Sequence, residues 1–225
     1  MSIKQKWNDL VAREKEKTKN MTFKQKVEYV AENWWFEIIG TLVLLGVAVG
    51  CGILIYNSCK EHILYFGVVD VSMSEKECRQ IEKDFKEYIE NDDPMEVIYM
   101  ESQISSLGVA ESTDDLIPEI TDEQQKSTIL IGTGLIDAYI CPEVYVDYLL
   151  EWEDLDTVAN VMDAETVSQY SERITKDGYA FDLTGTAAAE LFHVKYEPCY
   201  LVFTYNSANH SPEVTQAFAR YLLEK

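Results

Sequence analysis

The stretch Ile38–Tyr56, IIGTLVLLGVAVGCGILIY, divides this chain in two. Its nineteen consecutive positions carry no charge. A helix rising about 1.5 Å per residue would cover roughly the 30 Å of a bilayer's hydrocarbon core with such a run. Trp34, Trp35 and Phe36 stand at one end and Tyr56 at the other, and amphipathic rings favour the headgroup layer. The spacing predicts a transmembrane helix over residues 36–57, anchored by Trp34, Trp35, Ile38 and Tyr56. A signal peptide is the rival reading. Its apolar region would be only about 7–15 residues long and close to the N-terminus. Here the run follows 37 residues and has no A-x-A-like cleavage site. A lipobox-like string, Ala48-Val49-Gly50-Cys51, would make Cys51 a lipidation point, but the apolar run continues through Tyr56.

Charge gives an orientation. Eight basic residues (Lys4, Lys6, Arg13, Lys15, Lys17, Lys19, Lys24 and Lys26) precede the run, and only Lys60 follows closely. Lys and Arg near a span stay on the cytoplasmic side, so residues 1–35 are expected inside and residues 61–225 outside. Residues 1–37 hold 8 basic and 6 acidic side chains, whereas 61–225 hold 10 and 34, a net −24 outside. That acidity disfavours nucleic acid and anionic lipid as partners of the outer part. It equally gives a solubilising surface.

The inner segment reads as two basic amphipathic helices. Ile3, Trp7, Leu10 and Val11 share one face. A second helix opens at a T-x-x-Q capping box, Thr22 and Gln25, with an apolar stripe of Phe23, Val27, Val30 and Trp34. Such helices lie on an anionic inner leaflet, each Lys or Arg contributing roughly 1 kcal/mol. Docking to a cytoplasmic partner is the alternative.

The outer 165 residues suffice for one domain with a real core. Ile63–Val71 is apolar and β-rich, a buried strand. Ser74 and Glu77 form a capping box for a helix with Cys78, Ile81, Phe85, Tyr88 and Ile89 on one face. Asn91–Pro94 stops it, and Met95–Met100 is the next strand. Strand, helix, strand predicts a βαβ unit and a mostly parallel sheet. A looser stretch, 102–120, leads to a helix capped by Thr121 and Gln124, which Gly134 stops. Leu135–Cys141 is a third strand, and Pro142 opens a helix to about Glu151. Further helical pattern covers Leu155–Ile174, Tyr179–Leu183 is extended, Tyr200–Tyr205 is a buried strand, and Ser211-Pro212-Glu213 opens a last helix to Leu223. The expected class is α/β.

The segments LIGTGLIDAYICPEVYVDYL (130–149), GYAFDLTGT (178–186), YEPCYLVFTYNS (196–207) and SPEVTQAFARYLLE (211–224) resemble, in order and hydrophobic pattern, type 2 periplasmic-binding-protein-like domains. The anchor MTFKQKVEYVAENWW (21–35) is similar to that of small membrane-anchored proteins of this kind from clostridia and relatives. The resemblance implies a reduced solute-binding-like domain with binding loops at strand ends. It implies a small polar solute or peptide as ligand and a membrane-protein partner, with the domain outside the cell membrane. A ligand-free envelope interaction module on the same fold is the other expectation.

Open α/β sheets bind ligands beyond the carboxyl ends of their strands. Asp70, Ser72, Glu101, Gln103, Glu143, Asn206, Ser207 and Asn209 fall there, with Tyr99, Tyr139 and Tyr205 nearby. Amide and carboxylate groups of this kind suit a polar or cationic solute, and they serve equally as turn and cap chemistry. Asp137 reads as structural, accepting a backbone or helix-end hydrogen bond. His62, His193 and His210 lack metal or catalytic spacing, and no G-x-S-x-G elbow or phosphate loop occurs, so no enzyme, metal or cofactor is expected. The cluster Asp114, Asp115, Glu119, Asp122 and Glu123 could hold Ca²⁺ but lacks the EF-hand pattern. Cys78 reads as core. Cys141 and Cys199, at strand ends, leave a single bridge open.

Overall fold

The computed structural model describes residues 3–106, 129–205 and 211–225. The Thr121–Gln124 cap, the acidic cluster 114–123, and Asn206, Ser207, Asn209 and His210 lie outside the described residues. The chain forms two compact units, Met1–Cys59 and Lys60–Lys225.

In the first unit, α1 (Ile3–Lys17), α2 (Phe23–Asn33) and α3 (Trp35–Ser58) follow one another. The capping box at α2 is present in both directions: the Thr22 N–H donates to Gln25 Oε1 at 2.9 Å, and the Gln25 N–H to Thr22 Oγ1 at 3.4 Å. Trp34, whose backbone leaves the helical region, separates α2 from α3. The Tyr29 hydroxyl of α2 donates to Glu14 Oε2 of α1 at 2.7 Å, and Lys17 donates to Oε1 at 2.8 Å. Those two donors hold the Glu14 carboxyl below the usual carboxylate range. Phe23, Val27 and Val30 are exposed, Phe23 to 85%. With 24 residues, α3 is long and apolar enough to cross a membrane, and its side chains are unburied along the whole apolar window.

The second unit begins with β1 (Glu61–Val69), α4 (Glu75–Tyr88) and β2 (Glu96–Ile104), in parallel register from Glu61↔Glu96 to Val69↔Ile104. Ser74 and Glu77 form the reciprocal capping box, and Cys78, Ile81 and Phe85 of the apolar stripe are buried. A helical turn, 129–133, ends at Gly134 (φ 60°), whose N–H donates to the Ile131 carbonyl. Next come β3 (Ala138–Pro142) and α5 (Glu143–Glu151). The expected helical run 155–174 is instead broken into β4 (Leu155–Asp156), α6 (Val158–Val161), α7 (Ala164–Gln169), a 3-10 turn and β5 (Ile174–Thr175). Two causes are visible. Leu155 and Asp156 pair with β7, and Asp163 caps a fresh helix by accepting the Thr166 N–H at 2.9 Å. Then follow β6 (Ala180–Asp182), α8 (Ala187–Leu191), β7 (Cys199–Thr204) and α9 (Pro212–Leu223).

The strand order is β2-β1-β3-β7-β6-β5, with β4 also on β7. β2, β1 and β3 are parallel; the joins β3–β7, β4–β7, β6–β7 and β5–β6 are antiparallel. The architecture is thus mixed α/β, with parallel order concentrated on the β2 side. Both faces are covered. Phe66, Phe85, Phe203 and Phe218 belong to one core, which α4 and α9 close. Tyr139, Tyr145, Leu149 and Val202 belong to the other, beneath α5. Strand alternation sends Cys141 into the second core and Cys199 into the first. The two thiols are free and no bridge joins them. Burial raises both, Cys199 to about 12.

Candidate functional site

The ends of β1 and β2 are tied by Asp70. Its left-handed backbone (φ 55°) lets the carboxylate accept the Ser106 N–H at 2.8 Å and the Ser106 hydroxyl, while its own N–H donates to the Ile104 carbonyl at 2.8 Å. The carboxylate is thus spent on a long-range structural tie across 36 positions. Glu143, at the start of α5, accepts from Lys176 Nζ at 2.6 Å, and Asp147 one turn on accepts from the same ammonium at 2.8 Å. Ser72 is exposed on the link to α4. Tyr139 is buried, Tyr205 exposed. Of the polar residues at strand ends, Gln103 and Glu101 line a substantial cavity, together with Tyr99.

That cavity, about 470 Å³, runs between β2 and the first half of α4. Among the described residues β2 has a strand neighbour on one side only. Glu75, Arg79, Glu82 and Lys86 recur at one-face helical spacing and look onto this edge. Lys86 donates to the Glu96 carbonyl at 2.7 Å, and Glu82 Oε1 accepts the Met100 N–H at 3.0 Å. Two backbone groups of the edge are thereby occupied by side chains, a common guard against stray strand pairing. Burial raises the Glu82 carboxyl, partly offset by the Met100 N–H. Further along, Glu101 is buried and accepts the Gln103 N–H at 2.9 Å, where a bulge interrupts the β1–β2 register. Burial and the neighbouring Glu101 push Tyr65 up to about 12. Arg79 is ion-paired with Glu75, both side chains largely exposed. An exposed pair is worth roughly 0–1 kcal/mol and exchanges readily for another partner.

Chemically the groove offers an edge of backbone donors and acceptors, an apolar floor from Met73, Ile98 and Met100, and an exchangeable guanidinium. Arg79 and Glu82 escape a strand-end search because they are charges on a helix. Their shared 3-4 spacing with Glu75 and Lys86 is the signal that could have found them. The described residues contain no cluster of three or more His, Cys, Asp or Glu side chains placed to hold a metal ion. A scan against models of protein families, a search of curated proteins and a search of solved structures return no match for this chain.

Proposed function

We propose that this chain is a single-pass membrane protein with its N-terminus inside, displaying outside the cell a reduced solute-binding-like domain that binds a short peptide or small polar solute for a membrane partner. One observation carries the binding reading: the β2–α4 groove places a strand edge, with no strand partner on that side among the described residues, beside an exposed arginine. An extended peptide can add to such an edge through its main chain, with alternate side chains entering the groove. Arg79 then trades Glu75 for the peptide's carboxylate, a bidentate contact that suits guanidinium. Anchoring is supported by the unburied apolar surface of α3 and by the eight basic residues before it.

A thermal-shift screen of the full chain in detergent micelles tests this, using tripeptides with free or amidated C-termini. A ligand at 100 times its Kd adds about 2.7 kcal/mol to stability. A shift confined to free carboxylates and lost in Arg79→Gln supports the reading; a flat response across the set refutes it. The ligand-free envelope module is then favoured, and the exposed rings of Trp152 and Tyr205 are the surface that speaks for it.

A further inference from the structure

A second cavity, about 280 Å³, shares no lining residue with the groove among the described residues. It lies between the helical turn 129–133 and the segment linking α5 to β4, and is lined by Ile131, Gly132, Thr133, Gly134, Trp152 and Asp154. The backbone sets this wall firmly. Trp152 caps α5, with its N–H on the Tyr148 carbonyl. Glu153 then takes a left-handed conformation (φ 54°), a local strain for a side chain of its size. The Asp154 N–H returns to the Leu149 carbonyl at 3.1 Å, and the Asp154 carbonyl accepts the Tyr205 N–H at 2.9 Å. The left-handed step brings residues two apart to the same cavity.

Two of the side chains presented there offer acceptor oxygens. Asp154 Oδ2 is buried and has no hydrogen-bond partner among the described residues. The Thr133 hydroxyl spends its proton on the Leu130 carbonyl at 3.0 Å, so only acceptor lone pairs remain. The turn 129–133 ends at the cavity, and helix C-termini carry partial negative charge. Among the described residues no Lys or Arg lines the space. Trp152 is 67% exposed and steadied against Tyr148, ring centroids 6.0 Å apart. An indole face attracts cations by its quadrupole. Burial raises the Asp154 carboxyl.

We propose that this cavity binds the head of an organic cation, an alkylammonium or guanidinium group, with Asp154 as its counter-charge and Trp152 as its aromatic wall. A divalent metal fits less well. Calcium takes about 6–8 oxygen ligands, whereas Asp154 is the one carboxylate among the described residues of the lining. The volume matches a head group of several non-hydrogen atoms, since each water in the liquid takes about 30 Å³. The inference stands independently of the peptide groove.

Calorimetric titration of the full chain in non-ionic micelles with agmatine, at fixed ionic strength, tests it. Saturable one-to-one binding is expected. Asp154→Asn keeps the shape and removes the charge, so affinity falls about tenfold or more while the melting temperature holds or rises. Trp152→Leu keeps apolar bulk and loses the ring, weakening binding about two- to fivefold. Absence of saturable binding, or unchanged affinity in Asp154→Asn, overturns the proposal.

Discussion

Asp137 and Tyr65 are joined twice: the Asp137 carboxylate accepts the Tyr65 N–H at 2.7 Å, and the Asp137 N–H donates to the Tyr65 carbonyl at 2.7 Å. Asp137 is 1% exposed, and its carbonyl also accepts the Thr204 N–H at 3.1 Å. One buried residue thus aligns the start of β3 with both β1 and β7, where the parallel and antiparallel halves of the sheet meet.

Replacing Asp137 should therefore loosen the whole sheet. A hydrogen bond to a charged group contributes about 1.5–3 kcal/mol, so Asp137→Ala is expected to lower stability by roughly 2–3 kcal/mol. Asp137→Asn keeps an acceptor and costs less. Denaturant midpoints of the full chain in micelles check both.

Gly67 has no room for a side chain. A Cβ there would meet Ile104 Cδ1 at 2.6 Å and Tyr139 Cδ1 at 2.9 Å. Gly67→Ala is expected to cost about 1–3 kcal/mol through overpacking. The double variant Gly67→Ala, Ile104→Val should recover part of that loss in the same melt.

The groove leaves a signature in pH. Burial puts the folded-state pKa of Glu82 above its ordinary 4.5. The native state then holds the Glu82 proton more tightly than the unfolded chain. Stability from this group is complete below 4.5 and is lost as pH rises through the folded value. Glu82→Gln removes that loss while its amide oxygen can still accept the Met100 N–H. Its melting temperature, relative to the parent, should accordingly climb as pH rises from 4 to 7; a constant difference refutes it.

Thiol accessibility reports on packing and orientation together. Cys78, Cys141 and Cys199 are buried, and Cys59 is exposed just beyond α3. In a Cys51→Ser background, a membrane-impermeant maleimide on intact cells is expected to label Cys59 alone. Labelling only after cell lysis would reverse the proposed orientation. Denaturant should release the other three thiols in one step.

Much of this was legible along the chain because the signals are local. The apolar run of α3, the Thr22 and Ser74 caps, and the β1–α4–β2 order each depend on neighbours within a few residues. The placement of Leu155 and Asp156 was not, since a helical pattern there yields to pairing with β7, far off in sequence. Nor was the use of the strand-end polar residues: Asp70 is taken by Ser106 and Glu143 by Lys176, partners 36 and 33 positions away.

Composition and periodicity by themselves determined the division of the chain at an apolar helix, the charge asymmetry around it and the α/β class, because hydrophobic spacing and capping act over one or two turns. Tertiary structure alone decided which side of the sheet each thiol occupies, that the strand order changes from parallel to antiparallel at β3, and that Arg79 and Asp154 line cavities. Those outcomes follow from strand register and from a left-handed turn at Glu153, and register is set by which distant surfaces pack together.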